Sequence, residues 1–124
     1  MAGLTSSTPL PTSITVHQQS RVLEIGFSDG REFRIPFELM RVYSPSAEVQ
    51  GHGPGQEVLQ TGKRDVEIVA LEPVGNYAVR ITFDDFHDTG IFTWNYLHTL
   101  GHERDERWNA YLAELAEKGL SRDR

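Results

Sequence analysis

The stretch VEIVALEPVGNYAVRITF, at residues 66–83, decides the fold class. Val66, Ile68 and Ala70 alternate with Glu67, Val69 and Leu71, while Tyr77, Val79, Ile81 and Phe83 alternate with Ala78, Arg80 and Thr82. A period of two is that of a β-strand with one face turned to a core. Glu72, Pro73, Val74, Gly75 and Asn76 lie between the two runs and read as a hairpin loop, because they include residue types that turns select. Downstream, the polar connection DDFHDTG separates Phe83 from Gly90, Ile91 and Phe92, which read as a short last strand.

Upstream, Ile14 and Val16 alternate with Thr15 and His17, and after a polar turn the run VLEIGF puts Leu23, Ile25 and Phe27 on one face. Ser28-Asp29-Gly30 is a hairpin signal, since Asp and Gly tolerate positive φ, and it leads to Phe33 and Ile35 of a further strand. Pro36 opens PFELMRV, which predicts one or two helical turns with Glu38 well placed for the helix dipole, ended by Pro45. Residues 44–62 carry Gly51, Gly53, Gly55 and Gly62 with Pro45 and Pro54 and show no lasting period. That predicts a long surface loop and a place to look for binding. After Phe92 the period changes to 3.6. Thr93 can cap WNYLHTL, Gly101 suits its end, and Trp108, Tyr111, Leu112 and Leu115 share a stripe on a second helix. The expectation is a single α+β domain over residues 14–119, with an antiparallel sheet of about five or six strands covered by two C-terminal helices. Residues 1–13, rich in Ser, Thr and Pro, read as a disordered leader, and residues 120–124 as a frayed tail.

The length of 124 residues suits one domain, since domains run to about 100 to 200 residues. With 12 Lys and Arg against 18 Asp and Glu the net charge is -6, which argues against a nucleic-acid partner held by phosphate contacts. The absence of cysteine removes disulfides, thiolate metal sites and cysteine nucleophiles together. No apolar run approaches the roughly 18 residues of a membrane span, and the first residues lack a signal-peptide pattern. A cytoplasmic protein without a membrane partner is expected.

Asp84, Asp85, His87 and Asp88 crowd one connection, and carboxylates with an imidazole are common ligands of divalent metals. An Asp-rich turn with His87 satisfied by a neighbour is the simpler reading, because metal sites normally draw ligands from several elements. Arg41 and Arg80 are candidates to pair with nearby carboxylates and hold the surface formed by this connection and the 44–62 loop, with solvated arginines at least as expected. His98 and His102 are four apart, as in metalloprotease helices, yet Thr99 stands where the catalytic Glu would be and Gly101 is expected to end the helix first. The segment GHGPGQ at residues 51–56 lacks the GK[ST] ending of a phosphate loop. No serine sits in a G-x-S-x-G elbow, so Ser44 and Ser46 read as loop residues. Phe92, Trp94, Tyr96, Trp108 and Tyr111 read as packing residues. No complete catalytic constellation emerges.

The blocks LMRVYSPSAEVQGHGPGQ at 39–56, ALEPVGNYAVRITFDDFHDTGIFTW at 70–94 and the following NYLHTLG carry a family likeness. They resemble a small domain, found in bacteria as a stand-alone protein of unknown function, that also forms the N-terminal part of gamma-butyrobetaine hydroxylase. The resemblance spans about residues 14–115 and implies a compact β-rich domain with short helices. In the hydroxylase the domain is similar to a zinc module with a C-x-C-x-x-C run and a distant His. That run falls here on Ser44, Ser46 and Val49, with His87 at the histidine position. The resemblance therefore implies that residues 44–49 lie near His87, while three lost ligands argue against structural zinc. The iron and 2-oxoglutarate site of the hydroxylase belongs to its other domain, so oxygenase activity does not transfer. Related domains attached to P-loop ATPases of the iron-sulfur cluster carrier type imply an accessory role in cofactor or iron-sulfur metabolism, through protein contact.

Residues and resemblance together lead to a non-catalytic binding or adaptor domain that holds no cofactor. Its contact surface for an unidentified protein partner draws on Arg41, Ser44, Ser46, Glu48, His52 and His87. One alternative is a zinc or iron site centred on His87 with Asp84, Asp85 and Asp88. A weaker alternative is a small-molecule enzyme with a pocket between the two loops, and the oligomeric state stays open.

Overall fold

A computed structural model describes residues 8–51 and 55–123. Strands β1 (Pro11–His17), β2 (Val22–Phe27) and β3 (Glu32–Pro36) form one antiparallel sheet in the order β1-β2-β3. Strands β4 (Ile68–Val74), β5 (Ala78–Phe83) and β6 (Gly90–Thr93) form a second, in the order β4-β5-β6. The strand number matches the expectation, and the single sheet is corrected to two of three strands. Alternation fixes which side of a strand is buried, and it carries no information about the strand it pairs with beyond a hairpin neighbour.

Between the sheets the chain forms α1 (Phe37–Val42) and the single turn α2 (Ala47–Gln50), and after β6 it forms α3 (Trp94–His102) and α4 (Arg104–Lys118). One core joins the inner faces: Leu23, Ile25 and Ile35 from the first sheet meet Ile81, Phe83 and Phe92 from the second, with Phe37, Leu39 and Met40 of α1 and Leu97 and Leu100 of α3. A smaller cluster of Val42, Tyr111 and Leu115 seats α4. Every residue of α1 is buried, including Glu38 and Arg41. Buried charges require partners, and these two find theirs far away in sequence. Arg122 donates to both Glu38 oxygens at 2.8 and 2.7 Å and stacks over the Trp108 ring. The tail expected to fray is therefore docked, with Gly62 and Arg64 N–H groups donating to the carbonyls of Ser121 and Arg122.

Several features differ from the sequence reading for local reasons. β1 starts at Pro11, because residues of polar composition still pair through backbone groups along an edge strand. β4 runs on to Val74 through Pro73, which an edge strand tolerates because its missing N–H costs no ladder bond. The loop at 44–62 contains α2, capped by Ser46, whose hydroxyl accepts from Glu48 N–H at 3.2 Å. Gly101 lies inside α3 rather than at its end, since a Cβ there would fall 2.4 Å from the Phe33 ring. His98 and His102 therefore share one helix, and each faces the β2–β3 turn, His98 pairing with Asp29 at 2.8 Å and His102 with Arg31 at 3.3 Å.

Candidate functional site

Two turns in this chain have the same backbone. In the β2–β3 hairpin, Phe27 N–H donates to the Arg31 carbonyl at 2.8 Å and Gly30 N–H to the Phe27 carbonyl at 3.0 Å. After β5, Phe83 N–H donates to the His87 carbonyl at 2.9 Å and Phe86 N–H to the Phe83 carbonyl at 3.2 Å. In both, the third residue is an Asp whose carboxylate accepts from the fifth residue's N–H, Asp29 from Arg31 at 3.0 Å and Asp85 from His87 at 3.3 Å. This is a three-residue loop closed by a left-handed residue, a position that glycine fills at least cost. Gly30 fills it in the first turn with φ 85°. In the second it is Phe86, with φ 69° and 93% of its surface exposed. A bulky residue there carries backbone strain of about 1 to 2 kcal/mol.

The residues on either side of Phe86 are anchored in the protein. Asp85 accepts from Arg41 Nε at 2.8 Å and Lys63 Nζ at 2.5 Å. Burial pushes its carboxyl up, and the two cations outweigh that and hold it at about 2. Arg41 reaches this pair from α1, and its Nη1 is buried without a hydrogen-bond partner among the described residues. His87 is also buried. Its Nδ1 lies 3.0 Å from Glu48 and its Nε2 2.9 Å from Ser44 Oγ. A carboxylate can only accept, so the network assigns the proton to Nδ1 and leaves Nε2 to accept from the Ser44 hydroxyl. Burial, then the Arg41 charge, pushes the imidazole below its usual range, against the Glu48 and Asp85 carboxylates.

A Ser-His-carboxylate chain is the arrangement that activates a serine for acyl transfer. Here Ser44 is 0% exposed, and its hydroxyl also accepts from Ser46 N–H at 3.3 Å. Gly90 of β6 closes the remaining side, since a Cβ there would stand 2.5 Å from Ser44 Oγ. No carbonyl can approach that oxygen in this arrangement. Its chemical role here is to satisfy buried polar groups. Around it, Ser46 Oγ bonds Thr89 Oγ1 at 2.6 Å and the Gln50 amide donates to the Ser44 carbonyl at 2.9 Å, completing the tie between α2 and the 84–89 connection.

The three acidic residues that the metal reading groups with His87 do not converge on it. Asp84 accepts from Glu67 N–H at 3.1 Å, Asp85 turns to Arg41 and Lys63, and Asp88 is exposed. Among the described residues no group of three or more His, Asp or Glu is placed to hold a metal ion. Residues 44–49 do lie beside His87, as the family resemblance implies, but zinc does not fit them. Ser44 and Ser46 offer neutral hydroxyls, Val49 is a buried aliphatic, and both His87 nitrogens are already engaged. Arg80 pairs with Glu72 at 2.7 Å on the outer face of the second sheet. His52 lies outside the described residues. Phe86 and Lys63 escaped the sequence reading. The signal for Phe86 was available, because FSDGR at 27–31 and FDDFH at 83–87 align with Phe in the place of Gly.

The model of the family described as gamma-butyrobetaine hydroxylase-like, N-terminal, matches residues 14–98. The chain belongs to this family. Two solution NMR structures of members of this fold are 47% and 48% identical to the chain, with TM-scores of 0.82 and 0.81; the matches cover 94% and 97% of this chain and 92% and 91% of theirs. A crystal structure from Acidithiobacillus ferrooxidans ATCC 23270, described as a protein with unknown function of the DUF971 family, is 42% identical with a TM-score of 0.61. That match covers 73% of this chain and 91% of the other. No curated protein matches the chain. Among the described residues of this family member, no helix is long and apolar enough to cross a membrane.

Proposed function

We propose that the domain is a non-catalytic protein-binding module whose docking face is the turn between β5 and β6. The observation that carries this is the contrast between Gly30 and Phe86 in two turns of one backbone. The fold asks for glycine at that position, and the second turn instead spends strain to hold a large aromatic in solvent. An exposed aromatic on a fixed backbone is the kind of residue that dominates binding energy at interfaces. Asp85 and His87 fix that backbone from both sides. The contact surface expected from sequence is thereby reassigned: Arg41, Ser44, Ser46, Glu48 and His87 support the face, and Phe86 presents it. In line with the family resemblance, the partner sought is a protein of cofactor or iron-sulfur metabolism.

The test uses immobilised wild type and Phe86→Gly, exposed to the same cell extract. At least one protein retained by the wild type and absent from the variant is the expected result. Identical retained sets, with the variant folded, overturn the reading.

A further inference from the structure

Resting on the reading of this turn as the docking face, we infer that it takes a protein partner whose apolar pocket is rimmed by lysine or arginine side chains. Phe86 forms a wall of a shallow depression of about 340 Å3 on the sheet side, lined also by Val69, Thr82, Phe83, Asp84 and Asp88. Val69 is 65% exposed, so two large apolar side chains face solvent at one place. A monomeric surface normally scatters such residues singly, and a pair beside a ready depression marks an interaction site. Asp84 and Asp88 flank this patch, and neither forms an ion pair among the described residues. Among the described residues Asp84 accepts only from Glu67 N–H, and Asp88 feels Arg80 at longer range. Two carboxylates without an ion-pair partner there, flanking an aromatic, give the complementary partner both of its features, a socket for the ring and cations at its edge.

A second copy of the chain fits less well. Two such faces meeting would bring Asp84 and Asp88 of each against the other, in a protein whose net charge is already -6. A partner strand added to the free edge of β4 would use backbone groups and would not need Phe86. The charged rim thus favours a heterologous partner, recognised by the ring and its two acidic neighbours.

The experiment places a benzophenone photo-cross-linking amino acid at Val69, which leaves Phe86 and both carboxylates in place, and irradiates the protein in cell extract at low and high salt. Three backgrounds are compared: Phe86 intact, Phe86→Gly, and Asp84→Asn with Asp88→Asn, the amides keeping the oxygen that accepts from Glu67 N–H. The expected result is an adduct lost in Phe86→Gly and reduced about fivefold by the double amide or by raising salt, with a cross-linked peptide containing Lys or Arg beside apolar residues. An adduct that needs Phe86 but ignores both salt and the double amide overturns the inference and leaves the binding-module reading standing. An adduct indifferent to Phe86→Gly, or no adduct in any background, overturns both. A cross-link of the chain to itself overturns the inference in favour of a second copy.

Discussion

The turns at residues 27–31 and 83–87 share their hydrogen bonds, their third-position Asp and their left-handed fourth residue, and differ in everything those features are attached to. In the first, Asp29 and Arg31 meet the outer histidines of α3, and the turn ends in a glycine with nothing within 4 Å of where a Cβ would stand. In the second, Asp85 and His87 reach buried groups of α1 and of the segment leading into α2, and the turn ends in an exposed ring. A backbone motif sets where side chains stand. Whether it becomes a plain reversal or a held surface depends on which positions are tied to the interior.

The third position should separate the turns most. Asp85→Ala leaves Arg41 buried with its ion partner removed and should cost roughly 2 to 3 kcal/mol in denaturant unfolding, whereas Asp29→Ala, at the surface, should lower stability less. Equal losses would mean that the Arg41–Asp85–Lys63 cluster does not hold the second turn. The fifth position comes next. His87→Ala leaves the buried Ser44 hydroxyl without its acceptor and opens a cavity, and should cost about 2 kcal/mol, while Arg31→Ala should stay within about 0.5 kcal/mol as a surface change.

The fourth position should act in opposite directions. Phe86→Gly should stabilise the domain by about 1 kcal/mol through relief of the left-handed strain, and Gly30→Ala should destabilise it by a similar amount. Because space is open at Gly30, its loss would be purely conformational. A drop in melting temperature for Phe86→Gly would show that the ring packs within the fold.

The smallest effect is in pH. His87 is held below its usual range, so between that lowered value and about 6.5 the unfolded chain binds a proton that the native one does not. Stability should therefore fall as pH drops through this window, and the step should vanish in His87→Ala. A second loss should follow as pH falls from the ordinary Asp value of 3.8 towards about 2, where Asp85 protonates in the native state. Asp29 is also lowered, first by the Arg31 N–H and then by His98, so its turn contributes to this second step.

Much of the fold was legible in the residues. Alternation at Leu23, Ile25 and Phe27 and at Val79, Ile81 and Phe83 correctly marked buried faces. Thr93 caps α3, its hydroxyl accepting from Tyr96 N–H at 3.1 Å, and Gly119 ends α4 in the left-handed conformation, both as helix-end chemistry requires. Gly101 misled because glycine has two uses, ending a helix or admitting a close neighbour, and sequence alone does not say which. The acidic connection offered two readings. Its composition suggested ligands for one ion or, more simply, an Asp-rich turn; in the fold Asp84 accepts from Glu67 N–H, Asp85 pairs with Arg41 and Lys63, and Asp88 is exposed.

By itself the sequence determined the strands, the helices other than α2 and most of their buried faces, and its blocks at 39–56 and 70–94 carried the family likeness. Strands, helices and faces follow from local periodicity and end chemistry within a few residues, whereas the family rests on the resemblance of those blocks. Tertiary structure alone decided that the strands divide into two sheets, that the tail docks, and that the second turn is held. The held turn rests on Arg41 meeting Asp85 across 44 positions and Ser44 meeting His87 across 43, and the docked tail on Arg122 meeting Glu38 across 84. A buried polar group must be satisfied by whatever the folded chain brings within 3 Å of it, and no local pattern records which residue that is.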